Sequence, residues 1–143
     1  MSVPSPVLFV CARNAVRSPM AEALWRAEYG SASQVLSCGL EPAAYPDGFM
    51  IAVMEEAGHD LSGFEPRDLG AMADEDFQLV ICLASEIAPQ VADLAEAHKA
   101  RFLSWDIPDP AQISGNRDVR LAAYRSVRDT LSQLIKDLRL ESA

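Results

Sequence analysis

The strongest constraint on the fold is the run Leu79-Val80-Ile81-Cys82-Leu83, matched near the start by Val7-Leu8-Phe9-Val10. Neither run alternates apolar with polar residues. A strand with one wet face would alternate, so both runs must be covered on both sides. Between and after them the period changes to that of helices. Ser18-Pro19 can open a helix through about Tyr29, with Ser at the cap and Pro in the first turn. Asp47 can cap a second helix whose apolar face is Met50, Val53, Met54 and Ala57, and Gly58 can close it. Ser85 starts a third helix bearing Ile87, Val91, Leu94 and Ala95, with Pro89 early enough to be tolerated. A last helix runs from about Arg117 to Leu140, with the stripe Tyr124, Val127, Leu131, Leu134, Ile135 and Leu138. Gln34 to Ser37 and Arg101-Phe102-Leu103 supply two shorter strands. Strand and helix therefore alternate along one domain, residues 1–143. The expected fold is α/β, a four-stranded parallel sheet with helices on both faces.

The formal charge of -9 argues against a nucleic-acid or membrane-surface partner, since both need a basic face. Any anion site here must be built from a few aimed donors. No targeting or membrane-spanning segment is visible, because the first apolar run is too short to cross a bilayer. Three cysteines without CxxC or zinc-like spacing argue against a disulfide framework and against a metal site. A cytoplasmic setting, no cofactor, and a monomer or weak dimer are the corresponding expectations.

In parallel sheets ligands bind beyond the carboxyl ends of the strands. The turn after the first strand reads Cys11-Ala12-Arg13-Asn14-Ala15-Val16-Arg17-Ser18. A strand-to-helix turn aims backbone N–H groups and the helix dipole at an anion, which makes this segment a phosphate-binding loop. Arg17 can curl back to grip two oxygens with its planar fork. The same field favours the thiolate of Cys11. Ser18 can donate to that sulfur or cap the helix, and Asn14 tolerates the left-handed backbone that a tight cradle needs. On residues alone, Asp109 before Pro110 is a turn opener.

The loop, followed by Pro19-Met20-Ala21-Glu22, resembles the signature of the low-molecular-weight protein tyrosine phosphatases. Ser37-Cys38-Gly39, Gly58-His59-Asp60-Leu61-Ser62-Gly63 and Trp105-Asp106-Ile107-Pro108-Asp109-Pro110 resemble further motifs of that family in the same order. The resemblance implies that Cys11 is the nucleophile, Arg17 the oxyanion clamp and Asp109 the general acid, with no metal. It places Ala12, Arg13, Asn14, Ala15, Val16, Ser18 and Tyr45 at the substrate and Ser37 in support. The substrate class it implies is phosphotyrosine protein or a small aryl phosphate.

Several positions depart from the pattern. Arg13 replaces a usual Gly, Val16 a frequent second loop Cys, and Phe64 a His that often supports the loop Asn. Ala111-Gln112 stand where two Tyr are common, leaving an aromatic-poor entrance flanked by Tyr45. Arsenate reductases of the same fold are the alternative, because arsenate mimics phosphate. Gly39-Leu40-Glu41-Pro42-Ala43 and Tyr124-Arg125-Ser126-Val127-Arg128-Asp129 resemble their sequences. Their thioredoxin-linked kind needs two thiols after the third strand, where this chain has Ala84 and Ala88; an external thiol donor would be required instead. A non-catalytic oxyanion-binding module is the third reading. Cys38 is read as a core residue that could pair with Cys11 on oxidation, and Cys82 as core. The run Asp74-Glu75-Asp76 is read as a solvated helix start.

Overall fold

The computed structural model describes residues 3–72 and 74–142. Four strands form one sheet: β1 (Val7–Cys11), β2 (Val35–Gly39), β3 (Leu79–Cys82) and β4 (Arg101–Ser104). Their order is β2-β1-β3-β4 and every pairing is parallel. Among the described residues the α-helices are α1 (Arg17–Tyr29), α2 (Gly48–Glu56), α3 (Ala88–Ala97) and α4 (Arg117–Ser142). The expected α/β architecture is therefore what the chain adopts.

Alternation along the central strands sorts the core into two layers. Val7, Phe9 and Cys11 of β1, with Leu79 and Ile81 of β3, face α1, α2 and α4. Leu8 and Val10, with Val80 and Cys82, face Val91 and Ala95 of α3. All of these strand residues are buried, which is why their sequence shows no polar alternation. Trp25 of α1 is fully buried between Phe9 and Tyr29, with ring centroids 5.8 and 4.2 Å away, and its indole N–H donates to Ser33. A fully buried side chain of this kind contributes about 1.5–3 kcal/mol. The α4 stripe is buried at Tyr124, Val127, Leu131, Ile135 and Leu138, and Leu121 extends it.

The local readings need four corrections. Ser18 does not cap α1: Val16 holds that position without a side-chain bond, because the Ser18 hydroxyl is turned to Cys11. Ser85 opens only a 3-10 turn, and α3 proper starts at Ala88 with Pro89 in its first turn. Ala57 is exposed beyond the end of α2 rather than on its apolar face. Asp74-Glu75-Asp76 is an exposed turn before β3, where no helix begins. Asp47 caps α2 as expected, accepting from the N–H groups of Phe49 and Met50 at 2.8 and 3.1 Å. Gly58, at φ 90°, closes it.

The order 2-1-3-4 makes the chain leave β1 toward one side of the sheet and later return on the other. The switch lies at the carboxyl end of β1, where a crevice opens. The residue at that end is Cys11. Among the described residues no helix is long and apolar enough to cross a membrane.

Candidate active site

Residues 12–16 turn away from β1 as a series of bends before α1 begins. The segment after β2 lies along their outer side and takes their carbonyls. Glu41 N–H donates to Ala12 O, Ala43 N–H to Arg13 O and Asp47 N–H to Ala15 O, at 2.9, 2.9 and 3.1 Å. In a trans peptide each carbonyl points opposite to the next N–H. Tying those three carbonyls outward turns the N–H groups of Arg13, Asn14 and Val16 inward. The Asn14 N–H is indeed directed to Cys11 Sγ, at 3.3 Å. Such an amide collar is an anion cradle.

Two features make the curl possible. Asn14 sits at φ 51°, the left-handed backbone its residue type tolerates. Gly39, at the end of β2, lies so close that a Cβ there would meet Asn14 N at 2.8 Å and Ala12 O at 2.9 Å. Only glycine allows that approach.

Cys11 Sγ lies 2.8 Å from Ser18 Oγ. Proton bookkeeping says which atom donates. Asn14 Nδ2 spends its two hydrogens on Ser18 Oγ at 2.7 Å and Ser37 Oγ at 3.0 Å. Ser18 Oγ is thus already an acceptor, and its own proton has Cys11 Sγ at 2.8 Å or the Cys38 carbonyl at 3.5 Å as partner. The sulfur is the nearer. Two donors, one hydroxyl and one amide, therefore converge on it, an arrangement suited to a sulfur anion.

Arg17 is buried to within 6% of its side-chain surface. Its Nη1 donates to the carbonyls of Leu83 and Ile107, at 3.3 and 3.0 Å. These carbonyls lie beyond the ends of β3 and β4 and fix the fork. The Nε–Nη2 edge carries no hydrogen bond among the described residues, only a loose 3.8 Å approach to the exposed Glu86. That edge can serve two oxygens of one guest.

Cys11 and Arg17 line a single cavity of about 280 Å³ with Arg13, Ala15, Val16, Tyr45 and Asp109. Ala43, Asp47, Ala111 and Gln112 complete its wall. Asp109 caps the short turn Pro110–Gln112, accepting from the Ala111 N–H at 3.0 Å through Oδ1. Its turn-opening and cavity-lining roles thus coexist. Tyr45 is 80% exposed at the mouth. Ala12, Asn14 and Ser18, read from the resemblance as substrate contacts, do not line the cavity. Asn14 and Ser18 are fully buried behind the sulfur, and Ala12 contributes its outward carbonyl. Ser37 is buried in the same supporting layer.

Three further residues belong to the site and escaped the sequence reading. Arg67 N–H donates to Asn14 Oδ1 at 2.7 Å. Arg67 also stacks over Phe64, 5.3 Å from the ring centroid. Glu22 is 3% exposed and takes Ser37, Arg67 and Arg26 on its carboxylate. The available signal was a charged residue on the buried face of α1, between Ser18 and Trp25. Asp47 was legible as a cap, though not as cavity wall; its other oxygen accepts from Tyr124 at 2.8 Å. Burial first, and then this bond, push the Tyr124 phenol well above its ordinary range.

The other two thiols lie elsewhere. Cys38 and Cys82 are in the layer facing α3, whereas Cys11 faces α1. Cys38 pairs with Val10, one step from Cys11 in register, so its side chain points to the opposite side of the sheet. A Cys11–Cys38 disulfide would need the backbone to move, which corrects the idea that the two could pair readily. Burial pushes both thiols up, and Cys82 donates to the Ala84 carbonyl at 3.1 Å. Among the described residues no group of three or more His, Cys, Asp or Glu could hold a metal ion.

Comparison with known proteins fits this geometry. The family model of the low molecular weight phosphotyrosine protein phosphatases matches residues 6–142. The chain belongs to that family. Its relatives within the phosphatase fold include arsenate reductases. A glutaredoxin arsenate reductase from Synechocystis sp. is 31% identical over 136 residues, covering 92% of this chain and 94% of the relative. A solved arsenate reductase in the phosphate binding state is 31% identical, with TM-score 0.76 over 96% of this chain and 98% of the other. The arginine phosphatase YwlE from Geobacillus stearothermophilus superposes with TM-score 0.78 at 25% identity, covering 95% of this chain and 92% of the other. The phosphatase family and its arsenate reductase relatives are enzymes, so this chain is read as an enzyme of the same superfamily.

Proposed function

We propose that the protein hydrolyses phosphate monoesters through a phosphocysteine intermediate. The observation that carries this reading is the convergence of Cys11, Arg17 and Asp109 on one cavity, with two donors on the sulfur. The thiolate attacks phosphorus while the bond to the leaving oxygen breaks. Asp109, as the acid, passes its proton to that oxygen. Water then attacks the phosphocysteine, giving a proton back to the Asp109 carboxylate. The S–P bond breaks, inorganic phosphate leaves and the thiolate is restored. The collar amides and the open edge of Arg17 hold the equatorial oxygens through both steps. Small or accessible esters, aryl phosphates and exposed phosphotyrosine among them, suit a mouth flanked by the exposed ring of Tyr45.

The arsenate reductase reading draws its support from the relatives that carry that name. Cys38 and Cys82 are both across the sheet from Cys11, so a relay of this chain's own thiols is unsupported. Reduction would need an external thiol to attack a Cys11–arsenic adduct and supply the electrons. One experiment separates the readings: turnover of an aryl phosphate, and of arsenate with several small thiols and thiol proteins, by the same reduced preparation. Aryl phosphate hydrolysis that vanadate blocks and Cys11→Ser abolishes supports the phosphatase. Arsenite formation without hydrolysis would transfer the site to the reductase.

A further inference from the structure

The mechanism uses Cys11, Arg17 and Asp109 but leaves a buried carboxylate on α1 without a task. Glu22 Oε1 accepts from Ser37 Oγ at 2.8 Å and from Arg67 Nη1 at 2.8 Å, while Oε2 accepts from Arg26 Nη2 at 3.2 Å. A carboxylate can only accept. Its position therefore fixes the Ser37 proton and anchors the Arg67 side chain, the residue whose backbone N–H orients Asn14. Ser37 must give its single proton to Glu22, so Ser37 Oγ is left to accept from Asn14 Nδ2. The Asn14 amide cannot turn over, because its Oδ1 takes the Arg67 N–H at 2.7 Å. Its second hydrogen then goes to Ser18 Oγ, and the Ser18 proton is directed to Cys11 Sγ.

We propose that Glu22 is a positioning residue that holds Ser37 and Arg67, the two groups that fix the Asn14 amide, so that the Ser18 hydroxyl faces Cys11 as a donor. Glu22 touches neither the sulfur nor the cavity wall. It acts through Ser37, Asn14 and Ser18, and through Arg67, whose Nη1 also donates to the Ser37 carbonyl at 3.3 Å. The inference concerns donation to the sulfur, and it holds whether the sulfur attacks phosphate or arsenate.

An isosteric Glu22→Gln variant is the probe. A Gln offers one acceptor oxygen where the two arginines and Ser37 need the two oxygens of a carboxylate, and its NH2 can donate to Ser37 Oγ. Ser37 then has no fixed direction and Arg67 loses its charge partner, so the Asn14 amide is held less firmly in its donating orientation. The readout is alkylation of Cys11 by iodoacetamide, which reports thiolate whichever substrate is natural. Charged or titratable groups around the sulfur and its supports are Arg13 and Arg17 of the loop and α1, Asp47 before α2, Arg67 and Asp68 beside Cys38, Glu86 beside Arg17, Asp109 after β4, Cys38 of β2 and Cys82 of β3. The substitution changes none of these, and loss of the Glu22 charge by itself would favour the thiolate, opposite in direction to the effect expected here. Cys38→Ser/Cys82→Ser serves as the background, so that only Cys11 reacts.

In that background, Glu22→Gln is expected to lower the ratio of the alkylation rate at pH 6 to that at pH 9 by about 3- to 10-fold, the size of one charge-assisted hydrogen bond weakened. Ser18→Ala should lower the same ratio at least as much. The double variant Glu22→Gln/Ser18→Ala should match Ser18→Ala alone, because Glu22 acts through Ser18. Additive effects in the double variant would overturn the proposal, as would an unchanged ratio in Glu22→Gln. Melting temperature is followed in parallel. A purely structural role would lower it by the same amount with and without Ser18 and would leave the pH ratio alone. Failure of aryl phosphate turnover in the parent protein would sink the proposed function and leave this test standing.

Discussion

Gly39→Ala probes the cradle at the point where sequence and geometry meet most tightly. A Cβ built there meets Asn14 N at 2.8 Å, Ala12 O at 2.9 Å and Arg13 C at 2.9 Å. All three are backbone atoms, so no side chain can swing aside. Ordinary contact begins near 3.4 Å, so the overlap with Asn14 N is 3.4 − 2.8, about 0.6 Å. Either the loop or the end of β2 must give by that amount. β2 is held by five register pairs with β1, and the Gly39 N–H by the Arg67 carbonyl at 2.9 Å. The loop is therefore the part that moves, carrying the amides of Arg13 and Asn14 away from the guest. Catalytic cradles tolerate about 0.5 Å, and 1 Å of misplacement costs about 100-fold. The expected loss in kcat/KM for an aryl phosphate is roughly 10- to 100-fold, with phosphate binding by calorimetry weakened in parallel. Overpacking of this kind also costs about 1–3 kcal/mol of stability. Gly63→Ala, where nothing lies within 4 Å, is the matched control and should keep both activity and phosphate affinity. Activity and affinity of Gly39→Ala within twofold of the parent would refute the reasoning.

Three further outcomes follow from the same geometry. Asp109→Asn should lower kcat for esters with poor leaving groups by about 100-fold or more and far less for nitrophenyl phosphate, since only the former need the proton; equal losses on both would remove Asp109 from that role. Asp47→Ala strips the α2 cap and orphans the Tyr124 hydroxyl, so chemical denaturation should show a loss of about 2–4 kcal/mol, against about 1 kcal/mol for Tyr124→Phe. Arg125 first, and Arg128 with it, hold the Glu56 carboxyl at about 2, below the ordinary 4.5. A depressed carboxylate stabilises the fold above its unfolded value and loses that effect as pH falls from about 4.5 to about 2. Because Glu56 is on the surface, the effect should shrink in salt. A Glu56→Gln variant should show a shallower fall of melting temperature across that window, and identical slopes would exclude the pair as the cause.

The class of fold and the residue types gathered in the loop were legible in the chain alone. The apolar runs at Val7 and Leu79 required a sheet covered on both sides, because burial is a local demand that each residue states for itself. Cys11, Asn14, Arg17 and Ser18 were legible for the same reason: a thiol, a left-handed-tolerant amide, a guanidinium and a hydroxyl between a strand and a helix have few other joint uses. Element ends were less legible. Ser18 reads as a helix cap by type, yet the nearby sulfur competes for its hydroxyl and wins.

Which residue supports which became visible in the folded chain alone. Gly39 touches Asn14, Arg67 reaches Asn14 across 53 positions, and Tyr124 reaches Asp47 across 77. Such partnerships depend on the order in which strands lie side by side, and no local pattern encodes that order. The same holds for the cysteines. Cys11 and Cys38 sit at neighbouring strand ends, but pleat and register turn them to opposite faces, and a one-residue shift in that register would have turned them to the same one.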